Sequence, residues 1–170
     1  MEMQTVTENE RKEFKLSSEG IEFVKKEMTR YETKLSAIIP ALYRAQNENG
    51  GWVGPEVVDY LSQLMDIPQS QIEEVLDFYT MFNKQPVGRY NIQVCTNISC
   101  AMAGGREIVK HLCEKLKVHP GEVTKDGKFS VTYVECAGSC GTAPVMQINR
   151  DSYIENLTLS EVDRVVDGLK

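Results

Sequence analysis

The chain has 170 residues, is 41% apolar and carries a net charge of −6, which suits one domain of ordinary size or two small ones. No run approaches the roughly 18 apolar residues of a membrane span. The whole acidic excess falls in residues 1–88, which argues against nucleic-acid binding, since that wants a basic stripe, and reads as a solubilising surface.

In chain order, the opening "MEMQTVTENERKEFK" has neither the apolar core of a secretory signal nor the acid-poor composition of a transit peptide. The chain is therefore expected to stay in the cytoplasm, or to have already lost a presequence. Four helices are predicted next. The first follows the N-cap candidates Ser17 and Ser18 and runs towards Tyr31, with Ile21, Phe23, Val24 and Met28 at helical spacing. The second covers about 34–46, where Pro40 either kinks the helix or marks its first turn. The third starts at Pro55 and the fourth after Pro68 and Ser70. Short helices with brief connections read as a small bundle.

The pattern changes near "NKQPVGRY". "RYNIQVC" alternates towards Cys95 as a strand, and about 103–117 form an amphipathic helix on Ile108, Val109, Leu112 and Leu116. "EVTKDGKFSVTYVEC" sets Asp126-Gly127 between β-prone runs, a hairpin signal. "APVMQIN" is a further strand, Tyr153-Ile154 a short one, and a last helix begins near Ser160. The order β-α-β-β-β-α has the shape of a thioredoxin-like layer. An α/β (α+β) fold is expected, with an N-terminal helical region over 1–85 and a second domain over 86–170.

Four of the five cysteines form two short pairs: Cys95 and Cys100 as C-x4-C, and Cys136 and Cys140 as C-x3-C. Both pairs fall at strand ends, where backbone N–H groups can point at sulfur. Three readings compete. Disulfides rank last, because nothing marks the chain as secreted. Zinc ribbons favour C-x2-C knuckles, which neither pair has. An iron–sulfur cluster suits wider, unequal spacings, because its four thiolates surround a larger inorganic core.

The pairs, with "QNENGGWVG", "IEEVLDFYTMF", "QPVGRYNIQVC", "HPGEVTKDGKFSV", "ECAGSCGTAP" and "APVMQIN" in order, resemble the thioredoxin-like [2Fe–2S] subunit of respiratory NADH:quinone oxidoreductase (complex I) over about residues 18–170. The resemblance implies one [2Fe–2S] cluster on Cys95, Cys100, Cys136 and Cys140. It implies no catalytic residue of the chain's own, and a partner flavoprotein subunit that binds FMN and NADH. It also implies a peripheral, cytoplasmic-side place in a membrane-bound complex, with the cluster as a side branch taking one electron at a time from reduced flavin. The same cysteine pattern is shared by subunits of soluble NAD-dependent formate dehydrogenases and NAD-linked hydrogenases. A structural zinc scaffold is the reading of another class.

The remaining candidates have plainer readings. Cys113 falls on an apolar helix face and is expected to be a small buried hydrophobe. Trp52 is expected in packing rather than partner contact, and His111 off the apolar stripe and solvated. Gly104-Gly105 lacks a phosphate-loop pattern and is expected to let a helix approach the cluster loop. Pro144 stands where thioredoxin-like folds carry a cis proline.

Overall fold

The computed structural model describes residues 13–150 and 152–169. Most of the opening stretch read above for targeting signals lies outside them. The chain divides into two compact units between Pro86 and Val87.

The first unit is helical. Helix α1 (Ser18–Arg30) starts where Ser17 accepts a hydrogen bond from the Gly20 N–H at 3.0 Å, which satisfies one of the free donors of the first turn. A 3-10 turn over Lys34–Ala37 then leads into α2 (Ile38–Glu48). Pro40 thus sits in the first turn of α2, where its missing N–H has no helical partner to lose. Helices α3 (Pro55–Met65) and α4 (Gln69–Phe78) follow, with Pro55 at the start of α3 and Pro68 as the residue before α4. Their apolar stripes meet in a core that includes Val24, Leu42, Val57, Leu61, Met65 and Ile72, all fully buried.

The second unit holds a four-stranded sheet in the order β2-β1-β3-β4. Strand β1 (Tyr90–Cys95) runs parallel to β2 (Phe129–Val134) and antiparallel to β3 (Met146–Ile148), and β4 (Ser152–Ile154) pairs antiparallel with β3. A parallel neighbour requires a crossover, and α5 (Ile98–Met102) and α6 (Gly105–Leu116) supply it. Helix α6 packs on β1 and β2, and α7 (Leu159–Gly168) packs on α6. The alternation of β1 sends Ile92 and Val94 into the core with Leu112, Val131, Met146 and Val162. The intervening residues carry a polar ladder. Gln147 donates to the Gln93 side chain at 2.7 Å, and the Ser130 hydroxyl donates to Asn91 Oδ1 at 3.0 Å.

Three local expectations change. Residues 98–102 form the separate helix α5, which five residues are too few to betray by periodicity. The Asp126-Gly127 turn forms, but its first arm makes no strand: it meets the free edge of β2 through the bridge Val123–Ser130 and the Thr124 N–H bond to the Phe129 carbonyl at 2.8 Å. The cap of α7 is Thr158, whose hydroxyl accepts from the Glu161 N–H at 3.2 Å, and not Ser160.

Candidate metal centre

Topology brings three chain segments to one end of the sheet. Because β1 and β2 are parallel, their C-terminal ends lie side by side, with Cys95 opposite Val134. Because β3 is antiparallel to β1, its N-terminal end arrives there too, and the Cys95 N–H donates to the Val145 carbonyl at 3.1 Å. Cys95 closes β1 and Cys100 lies within α5, rather than on a loop; both are buried. Cys136 stands just beyond β2 and Cys140 opens a 3-10 turn over Cys140–Thr142; both are exposed. The Ala143–Pro144 peptide that leads into β3 is cis.

The backbone is aimed at sulfur. Burial alone pushes the Cys95 thiol up. Hydrogen bonds from the backbone N–H groups of Asn97 and Ala137, with the neighbouring thiols of Cys100 and Cys136, outweigh it and hold Cys95 below its ordinary range. Cys100 goes the other way: burial and the adjacent Cys95 raise it, with Cys140 adding to the rise, while a backbone hydrogen bond at Val145 opposes them. Amide donors that favour the thiolate are what a metal-bound sulfur requires. Gly138 adds another, its N–H lying 3.3 Å from Cys136 Sγ. Gly138 adopts a φ of +75°, a conformation open to glycine at little cost.

Helix α6 comes hard against the same site. A Cβ on Gly105 would lie 2.6 Å from the Cys95 carbonyl and 2.8 Å from that of Cys100, so only glycine fits there. Ahead of it, Gly104 caps the helix with a φ of +98°.

Four thiols are a donor set that would suit an iron–sulfur cluster. Cys95 interacts with Cys100 and Cys136, and Cys100 with Cys140. Among the described residues, no group of three or more His, Cys, Asp or Glu side chains is placed to hold a metal ion.

Other singled-out residues stand apart from this centre. Cys113 is half-buried rather than fully enclosed, and burial, with Glu122 nearby, pushes its thiol up. His111 is not merely solvated: its Nε2 lies 2.9 Å from Asp163 Oδ1. Trp52 belongs to the first unit, half-buried, with its carbonyl accepting from the Asn49 side chain at 3.1 Å.

Sequence reasoning missed the donors Asn97 and Ala137. Asn97 had a signal, as an Asn two residues past a strand and at the start of "ISCAM"; its side chain accepts from the Ile98 N–H at 2.7 Å. It missed Glu155 as well. That carboxylate accepts hydrogen bonds from the hydroxyls of Ser139 and Thr142, on either side of Cys140.

The family model of the thioredoxin-like [2Fe–2S] ferredoxins matches residues 24–170. An NADH-quinone oxidoreductase subunit of Rickettsia bellii is 45% identical over 139 residues, covering 82% of this chain and 83% of the relative. A subunit of the same-named enzyme of Thermus thermophilus is 39% identical over 151 residues, covering 88% of this chain and 83% of the relative. Among solved structures, an NAD+-reducing [NiFe]-hydrogenase in the H2-reduced state aligns with a TM-score of 0.66 and 25% identity, over 78% of this chain but only 22% of that one.

Proposed function

Because the chain belongs to the thioredoxin-like [2Fe–2S] ferredoxin family, we propose that it is an electron-transfer subunit of an NADH:quinone oxidoreductase, holding one [2Fe–2S] cluster on Cys95, Cys100, Cys136 and Cys140. The observation that carries the reading is the convergence of those four thiols at one sheet end, under backbone N–H groups aimed at Cys95 and Cys136. Bound there, the cluster supplies a reversible one-electron redox centre. Everything else falls to the residues. Cys95 and Cys100 anchor the site in the interior, and Gly105 lets α6 brace both carbonyls. The amides of Asn97, Ala137 and Gly138 offset part of the negative charge that four thiolates gather.

The partner of this reading is a flavoprotein subunit carrying FMN and oxidising NADH. Two features support a docking face beside the centre. Ile98 and Met102 flank Cys100 on α5 and are 76% and 86% exposed, apolar side chains that a partner seated beside the centre would cover. Cys136 and Cys140 are exposed as well, so a cluster there lies near the surface, within reach of an electron donor. No helix among the described residues is long and apolar enough to cross a membrane. In this reading the chain is a peripheral subunit of the membrane-bound complex, on the cytoplasmic side in a bacterium. The hydrogenase likeness favours a second reading, in which the same centre serves a soluble NAD-linked enzyme.

Mild purification from the native host, with identification of the co-purifying chains and assays of NADH, formate and hydrogen oxidation, tests the choice. A membrane-derived assembly with a flavoprotein and quinone-linked NADH oxidation is expected. A soluble assembly oxidising formate or hydrogen would move the chain to the second reading. Zinc without iron or acid-labile sulfide would overturn both.

A further inference from the structure

We propose that Glu155 is a positioning residue for the cluster, clamping the segment that presents Cys140 and lowering the reduction potential by its charge. The inference rests on the cluster reading above. The segment from Cys136 to Ala143 needs a clamp. Cys136, Gly138, Cys140 and Gly141 are exposed, and a Cβ on Gly138 or Gly141 would meet nothing within 4 Å. Two glycines in an open loop leave much conformational freedom to be lost when a ligand is fixed. Within the loop, the Thr142 N–H bonds the Ser139 carbonyl at 3.2 Å, and the two side-chain hydroxyls meet at 2.7 Å.

The connection from β4 to α7 supplies the rest. Leu157 is buried in the core of the unit, and its N–H donates to the Pro144 carbonyl at 3.1 Å. Asn156 adopts a φ of +50°, a left-handed turn that asparagine tolerates, and its N–H donates to the Thr142 carbonyl at 2.8 Å. From this fixed base the Glu155 carboxylate reaches across to accept from Thr142 Oγ1 at 2.8 Å and from the Ser139 hydroxyl. Cys140 lies between those two residues in the chain. Removing the carboxylate would loosen both flanks of one proposed cluster ligand, leaving only the Ser139–Thr142 contacts and the Asn156 N–H to hold them.

A neutral acceptor would hold the loop without placing a negative charge beside an anionic cluster. The charge has its own consequence: it disfavours adding an electron, and so lowers the potential. Clamp and charge are separable. Glutamine keeps one acceptor oxygen and loses the charge, whereas alanine loses both.

The test uses the full chain with its cluster reconstituted from ferrous iron and sulfide. Loss of visible absorbance to an iron chelator gives the release rate, and a redox titration followed by electron paramagnetic resonance gives the potential. For Glu155→Ala, release is expected to be roughly five- to thirtyfold faster, the scale of losing two hydrogen bonds. Glu155→Gln should fall between it and the parent chain, and both should shift the potential upward. Thr142→Val should share the faster release without the upward shift. Glu161→Gln, an exposed carboxylate that pairs with Arg164 instead, should match the parent in both. Release from Glu155→Ala and Thr142→Val at the parent rate, or a potential unmoved in Glu155→Gln, would overturn the clamp while leaving the cluster reading intact. A parent chain that takes up no iron and sulfide would sink the cluster reading itself.

Discussion

Cys95 and Cys140 perform the same proposed task from opposite surroundings. Cys95 is locked into an interior strand of the sheet and fed by two amide donors, whereas Cys140 stands in an exposed glycine-bearing turn. Replacing either one by Ala is expected to abolish the visible absorbance of the cluster or leave it labile. Cys113→Ser should retain the spectrum, because that thiol lies on α6 outside the centre; a colourless Cys113→Ser beside a coloured Cys140→Ala would reverse the assignment. Gly105→Ala is the sharpest structural probe, since its new Cβ meets two backbone carbonyls at under 3 Å. A cost of roughly 1–3 kcal/mol is expected from such overpacking, measured by chemical denaturation, together with a faster loss of iron. The cysteines and the tight glycine were legible in the sequence because their spacing is local. Glu155 was not, because a carboxylate 15 residues beyond Cys140 leaves no local pattern.

At the scale of elements, the start of α1 is tied to the end of α2 through a carboxylate. The backbone N–H and hydroxyl of Ser17 donate to Glu48 at 2.6 and 2.8 Å, and Arg44 Nε donates to it at 2.6 Å. Burial pushes the Glu48 carboxyl up, but these hydrogen bonds prevail and hold it below its ordinary value. A carboxyl depressed in the folded state stabilises above its unfolded pKa, and the contribution fades as pH falls through the folded one. Glu48→Gln should therefore cost about 1 kcal/mol near neutral pH, after allowance for solvent screening. The deficit should shrink below about pH 4. Denaturant midpoints for both chains across that range check it, and a deficit that stays constant would count against the carboxylate as the tie. Ser17 and Pro40 announced these helix boundaries, because capping and the missing N–H act within a turn. The helix α5 and the cap at Thr158 gave no such signal, the first for being too short to show a period and the second because Ser160 offered an equivalent hydroxyl nearby.

For the whole molecule, the division between Pro86 and Val87 separates two independently buried cores. The proposal that these are domains, with residues 86–170 as the cluster-bearing one, predicts that 86–170 expressed alone takes up iron and sulfide with the parent's absorption spectrum. A fragment that fails to fold would show that the helical unit is part of the structural support. The β-α-β-β-β-α order of the second unit could be read from alternation and turn chemistry. The strand order 2-1-3-4 could not, since pairing is fixed by contacts distant in sequence. That order is what gathers the four thiols, so the site's chemistry was visible in the chain and its assembly was not.

The unequal burial of the four proposed ligands would also impose a chronology. With Cys95 and Cys100 buried and Cys136 and Cys140 exposed, iron and sulfide would enter and leave on the side where Cys136 and Cys140 face water. A partner seated over the exposed apolar side chains of α5 would shut that side. On the proposed reading, the cluster would then have to be built before the chain joins its partner, and an apo chain already in the assembly would have no route to rescue.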